Sequence, residues 1–263
     1  MRVITNRQFG SSLEAILYPV MLLAVLWSIY LVESFHAEGF VRLGILPKTV
    51  EGIKGIFFSP LIHAPRDISH ILNNSLPAAV LFGSLVYFYR RIAFQIFFLS
   101  WIISGILVWI FAQNDGHYHI GFSGVIYALA GFLFTSGGIR KYRPLQAISL
   151  FVLFVYGSMV WGIFPMKEGV SWEGHLTGLC TGVALAYLYR KKGPQAPKYQ
   201  YEIERDLGIE PPDFEGIWKE QLRIAREREE VEKQENSPHR IIYHYRPEKP
   251  VEATPPGDKT DES

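Results

Sequence analysis

Apolar runs about twenty residues long restrict this chain more than any other feature. A helix needs roughly 20 mostly apolar residues to cross about 30 Å of hydrocarbon. Runs of that kind recur at about 12–32, 70–89, 92–112, 123–139, 145–163 and 173–189. In lipid the backbone must satisfy its own hydrogen bonds, which for runs of this length means helix. The expectation is an all-α membrane protein, a bundle of six transmembrane helices. Arg2 and Arg7 precede the first run, as in a signal peptide. That run is longer than a typical signal-peptide core and more spans follow it, so it reads as an uncleaved anchor.

Charge gives the orientation and excludes some functions. Arg2, Arg7, Arg90, Arg91, Arg140, Lys141, Arg143, Arg190, Lys191 and Lys192 fall on one side of the spans. The opposite loops, 33–69, 113–122 and 164–172, hold only Arg42, Lys48, Lys54, Arg66 and Lys167. Basic loops stay inside, so both termini are expected to be cytoplasmic, at the plasma (inner) membrane. Residues 1–190 carry 13 Lys/Arg against 8 Asp/Glu and the remainder 13 against 17, so no basic face dominates and nucleic acid is excluded as a partner. Cys180 is the single cysteine, which rules out an intrachain disulfide framework.

The first outer loop mixes charge with apolar residues such as Phe40, Leu43, Ile45, Ile53, Ile56, Phe57 and Phe58. It reads either as segments lying in the membrane interface or as a small folded flap. The membrane domain is expected to span 1–192. Residues 193–263 form a polar, partly disordered cytoplasmic tail, with a charged helix at about 214–235 and a strand-like alternation at Arg240–Arg246. Such a strand could add to the edge of a partner's sheet, although the residues specify no particular partner for the tail.

Polar groups inside a membrane are costly and mark function by default. Ser123 follows Gly121-Phe122 and precedes Gly124 at the start of the fourth run. His175 follows Gly174 near the start of the sixth, and His70 and Asn74 open the second. Counting up from the basic anchors at about 1.5 Å per residue puts Ser123 about 25 Å above Arg140 and His175 about 22 Å above Arg190. Asn74 and His70 lie about 24 and 30 Å above Arg90 on the same count. A nucleophile, a base and two hydrogen-bond donors therefore share one level, just below the outer surface.

A serine hydroxyl becomes a good nucleophile when a base within hydrogen-bond reach takes its proton, and histidine is the commonest such base. The only Asp residues before 190 are Asp67 and Asp115, both in loops, so a Ser–His dyad is what remains. The Ser123 backbone N–H, with His70 and Asn74 at i and i+4 on one helix face, could supply donors for an oxyanion. Tyr127 either packs its ring on His175 or serves as an ordinary core aromatic. Gly174, Gly178 and Gly182 form a small-residue ridge that lets the sixth helix approach the fourth. Segment 113–122 is too polar for helix in lipid and is expected to line a wet cavity as irregular backbone. His117 and His119 lie in that loop without further ligands, and read as solvated or capping residues.

Together, H-x-x-x-N at His70 and Asn74, G-F-S-G at 121–124 with Tyr127, and G-H-x-x-G at Gly174, His175 and Gly178 resemble the rhomboid family of intramembrane serine proteases. The resemblance covers roughly residues 12–190. It implies Ser123 as nucleophile, His175 as base and His70 with Asn74 on the oxyanion side. It also implies transmembrane proteins as substrates, the lipid bilayer as setting, and no metal or cofactor. Phe122 stands where the family often has Ala, and the Trp-Arg pair frequent in its first loop is absent. Two rival readings are a non-catalytic rhomboid-like protein that binds transmembrane clients, and a small transporter or channel. No H-E-x-x-H and no pair of membrane aspartates is present for other protease chemistries.

Overall fold

A computed structural model describes residues 10–36, 40–65, 67–166, 169–197, 200–208, 212–236 and 242–247. Each apolar run folds as helix: α1 (Ser12–Phe35), α2 (Ile68–Phe88), α3 (Ala93–Phe111), α4 (Ser123–Arg140), α5 (Arg143–Tyr156) and α6 (Trp172–Leu188). The fifth departs from the expectation of one continuous helix. Its α-helical part stops at Tyr156 and the chain continues as a tighter 3₁₀ helix, Gly157–Ile163, bounded by glycines that disfavour regular helix.

The ends are set by local chemistry. Ser11 and Glu14 form a reciprocal capping box at the start of α1. The Asp67 carboxylate accepts the Ser69 N–H at α2, and Ser171 Oγ accepts the Gly174 N–H at α6.

Four helical segments are long and apolar enough to cross a membrane: Ser12–Phe35, Ile68–Phe88, Ala93–Phe111 and Arg143–Ile163. The remaining two, α4 at 18 residues and α6 at 17, are short and rich in Gly, Ser and Thr. Their position explains this composition. α4 packs against α2, α3, α5 and α6, α6 also packs on α3, and α1 runs along α2. Val125, Ala128, Leu129, Phe132 and Leu133 of α4 are buried among these neighbours, so side-chain packing rather than lipid selects its residues.

Glycine governs how closely α4 and α6 approach. A Cβ at Gly178 would collide with the Gly124 carbonyl oxygen, and one at Gly182 with the Ala128 carbonyl oxygen. The expected ridge needs one correction. A Cβ at Gly174 would meet Ser171 Oγ at 2.7 Å, so this glycine makes room for the helix's own cap and not for α4.

The loop between α1 and α2 is folded over its described residues. It forms helical turns at Glu51–Lys54, Gly55–Phe58 and Ser59–Leu61, of which Gly55–Phe58 packs on α3 and Ser59–Leu61 on α4, and the Trp109 and Trp101 indole N–H groups of α3 donate to the carbonyls of Thr49 and Phe57. Ile45 and His119 pair their backbones as an isolated bridge, tying this loop to the irregular 113–122 segment.

The chain divides into two compact units after Pro197. In the second unit α7 (Gln200–Asp206) is followed by α8 (Phe214–Glu235), whose Asp213 cap accepts the Gly216 N–H. No residue of α8 is buried, and Arg223 pairs with both Glu220 and Glu227. Of the strand-like stretch expected at Arg240–Arg246, the described residues 242–246 have no regular structure, because no neighbouring strand among the described residues completes a ladder. Arg240 and the residues after Pro247 lie outside the described residues, as do Arg2, Arg7, Arg66 and Lys167.

The α4–α6 contact gives the first prediction. Gly182→Ala should destabilise the fold by about 1–3 kcal/mol, through overpacking against a backbone oxygen that cannot swing away. Gly138→Ala is the control, since a Cβ there meets nothing within 4 Å. Thermal melts in one detergent should show a lower Tm for Gly182→Ala only.

Candidate active site

Ser123 is the first residue of α4 and His175 lies in the first turn of α6. The glycine contacts bring these two helix ends together, and Ser123 Oγ stands 2.9 Å from His175 Nε2. On the other side of the ring, His175 Nδ1 is 2.9 Å from the Gly162 carbonyl oxygen. A carbonyl only accepts, so the proton sits on Nδ1 and the Nε2 lone pair faces the serine hydroxyl. This is the protonation state a general base requires.

Tyr127 lies one helical turn after Ser123. Its ring stacks on the imidazole with centroids 4.2 Å apart and planes 8° from parallel. Its hydroxyl donates to the Met159 carbonyl at 2.7 Å. Of its two readings, then, contact with His175 is the one observed. Together the ring stack and the two carbonyls of the 3₁₀ segment fix the imidazole plane. Gly162 is required for this, because a Cβ there would strike the Tyr127 hydroxyl and stand 3.0 Å from His175 Nδ1.

Gly121 has φ +108°, a conformation L side chains rarely adopt. Its N–H donates to the Ser59 carbonyl at 2.9 Å, so the loop between α1 and α2 holds the turn into α4. A Cβ at Gly121 would stand 2.6 Å from His70 Nε2 and 3.8 Å from Asn74 Nδ2. His70 and Asn74 thus converge on the backbone just before Ser123. Gly124 makes only ordinary contact, its Cβ position lying 3.4 Å from the Gly174 carbonyl. Phe122 turns its ring away from the site: it is fully buried, packed edge-on against Trp101 and tilted against Phe97.

Ser123, His70, Asn74 and His175 line one open cavity of about 1030 Å³, together with residues of the irregular 115–120, 165–166 and 169–171 segments and the start of α6. His119 Nδ1 lies 2.7 Å from Ser171 Oγ, the hydroxyl that caps α6, and burial holds the His119 pKa below the ordinary histidine range. His117 is exposed beside Asp115 at 3.3 Å. Among the described residues no three His, Cys, Asp or Glu side chains converge as a metal site.

Sequence reasoning missed four contributors. Gly162 and Met159 act through backbone carbonyls, which carry no residue signal. His63, in the loop before α2, accepts from the Asn74 amide at 3.2 Å. Glu33, fully buried on α1, accepts the His63 backbone N–H at 3.0 Å. An acidic residue at the end of an apolar run was the available sign of it.

A rhomboid domain model matches residues 51–192. An uncharacterized protein of Mycobacterium bovis and one of Mycobacterium tuberculosis are each 33% identical over 178 residues, covering 63% of this chain and 71% of theirs. An uncharacterized protein of Mycobacterium leprae is 29% identical over 198 residues, covering 72% of this chain and 75% of its own. The chain is an integral membrane protein, and it belongs to the rhomboid family.

The carbonyl clamp is testable by itself. Gly162→Ala should displace the Tyr127–His175 stack and leave Nδ1 without its acceptor. Imidazole ¹⁵N spectra, with His175 assigned by comparison with His175→Ala, should show a single Nδ1–H tautomer in the parent protein and a tautomer mixture in Gly162→Ala.

Proposed function

We propose that this protein is an intramembrane serine endopeptidase, cutting transmembrane segments of other membrane proteins with a Ser123–His175 dyad. The observation that carries the reading is the 2.9 Å Ser123 Oγ to His175 Nε2 contact, with Nδ1 held by the Gly162 carbonyl. In this reading α1–α6 each cross the membrane, residues 1–192 form the catalytic domain and 193–263 a cytoplasmic tail. The basic residues at 90–91, 140–143 and 190–192 support cytoplasmic termini at the plasma (inner) membrane.

The chemistry balances on these residues. Ser123 Oγ attacks the scissile carbonyl as its proton passes to His175 Nε2. The developing oxyanion is met by the Ser123 N–H, His70 and Asn74. The tetrahedral intermediate collapses, the C–N bond breaks and the imidazolium protonates the leaving amine. Water from the open cavity then attacks the acyl-enzyme, giving its proton to His175, and the serine is regenerated. No metal or cofactor enters these steps. A non-catalytic relative that binds transmembrane clients would be expected to lack the serine or the histidine, and both are present here in contact.

Ser123→Ala and His175→Ala should each abolish cleavage of a model transmembrane substrate without a change in Tm. Asn74→Ala should slow turnover by roughly 10²–10³ with KM little changed, the usual loss for one oxyanion donor. Retained turnover in either dyad variant would overturn the proposal.

A further inference from the structure

The donor set around Ser123 includes a side chain that is itself held in place from outside the helix it sits on. Asn74 is buried, and its amide nitrogen lies 3.2 Å from His63 Nε2. His63 belongs to the outer loop just before α2, is fully buried, and packs edge-on against His70 with centroids 5.0 Å apart. Its backbone is fixed in turn, since its N–H donates to the buried carboxylate of Glu33 on α1 at 3.0 Å. Among the described residues His63 Nδ1 has no partner, and the hydrogen bond of this ring is the one to Asn74.

That arrangement determines what the amide presents. A primary amide has two N–H donors on one nitrogen, and a carbonyl oxygen on the opposite side. With one N–H given to His63, the nitrogen is fixed in orientation and its second N–H remains for the cavity. Without His63 the amide is free to turn about its last torsion, where the preference between orientations is weak. The turned form presents its oxygen to a developing oxyanion and is repelled. Burial, with the neighbouring His70 adding to it, pushes the His63 pKa down to about 4, so the ring is neutral at neutral pH and Nε2 accepts.

We propose that His63, anchored through its backbone by Glu33, is a positioning residue that orients the Asn74 amide toward the oxyanion. The proposal rests on the reading of Asn74 as an oxyanion donor. It makes α1 and the first outer loop contributors to the rate, although neither carries the dyad.

The test uses the full chain in detergent with a model transmembrane substrate and four variants: His63→Ala, His63→Gln, Asn74→Ala and the double alanine variant. His63→Ala should lower kcat by roughly tenfold or more, bounded by the roughly 10²–10³ expected for losing the donor itself, with KM within about twofold. A residue that acts only through Asn74 adds nothing once Asn74 is gone, so the double variant should match Asn74→Ala. His63→Gln, which keeps an acceptor at that reach, should recover most of the kcat at unchanged Tm. A kcat for His63→Ala within about twofold of the parent, while Asn74→Ala is slow, overturns the inference and leaves the oxyanion reading standing. Losses that multiply in the double variant also overturn it, since His63 would then act independently. An Asn74→Ala variant with full turnover removes the oxyanion reading and the inference with it. If His63→Ala fails to fold, a folded His63→Gln as slow as Asn74→Ala decides against the inference.

Discussion

The close approach of α4 and α6 underlies everything else at this site. Gly178 and Gly182 let the α6 backbone lie directly on the Gly124 and Ala128 carbonyls, where any Cβ would hold the helices apart. Two helix N-termini then meet at one level, and the serine and histidine at their first turns come within 2.9 Å. Side chains this short cannot bridge a wider gap. The packing of the domain and the chemistry of the site are therefore one constraint, and the small residues that make α4 and α6 poor lipid-facing helices are the ones that satisfy it.

A polar site surrounded by apolar side chains must pair its groups or bear their desolvation. The dyad does so with neutral partners. His175 Nδ1 finds the Gly162 carbonyl and the Tyr127 hydroxyl finds the Met159 carbonyl, both in the 3₁₀ segment after α5. A carboxylate in the Gly162 position would carry a far larger desolvation cost than a carbonyl dipole. The one buried carboxylate nearby, Glu33, is spent on the loop backbone at His63 and leaves the imidazole of His175 untouched. Both carbonyls belong to the 3₁₀ turn that follows Tyr156, so the site is held by the segment where regular α-helix ends.

Much of this was readable from residues. The apolar runs located α1–α6, because length and polarity alone decide what lipid tolerates. Counting depth from Arg140 and Arg190 put Ser123 and His175 at one level, since a helix converts residue number into height. What stayed hidden depended on backbone and on long-range packing. Gly162 offers a carbonyl that any residue type would offer. Phe122 is bulkier than the Ala often found beside the nucleophile in the family, yet its ring packs in the core against Phe97 and Trp101. His63 lies in a loop whose fold follows from contacts with α1 and α3 rather than from its own periodicity. Glu33 lies one residue past the expected end of the first span, and its partner, the His63 N–H, is 30 residues away in sequence.

The central claim is that His175 activates Ser123 in this contact, and chemical modification tests it most directly. Full-length protein in detergent, treated with a fluorophosphonate, is predicted to take a single covalent adduct, located by peptide mass on Ser123. In His175→Ala the rate of that modification is predicted to fall by about 10²–10⁴, the usual contribution of a positioned general base. An adduct on another residue, no adduct at all, or a labelling rate indifferent to the loss of His175 would contradict the account.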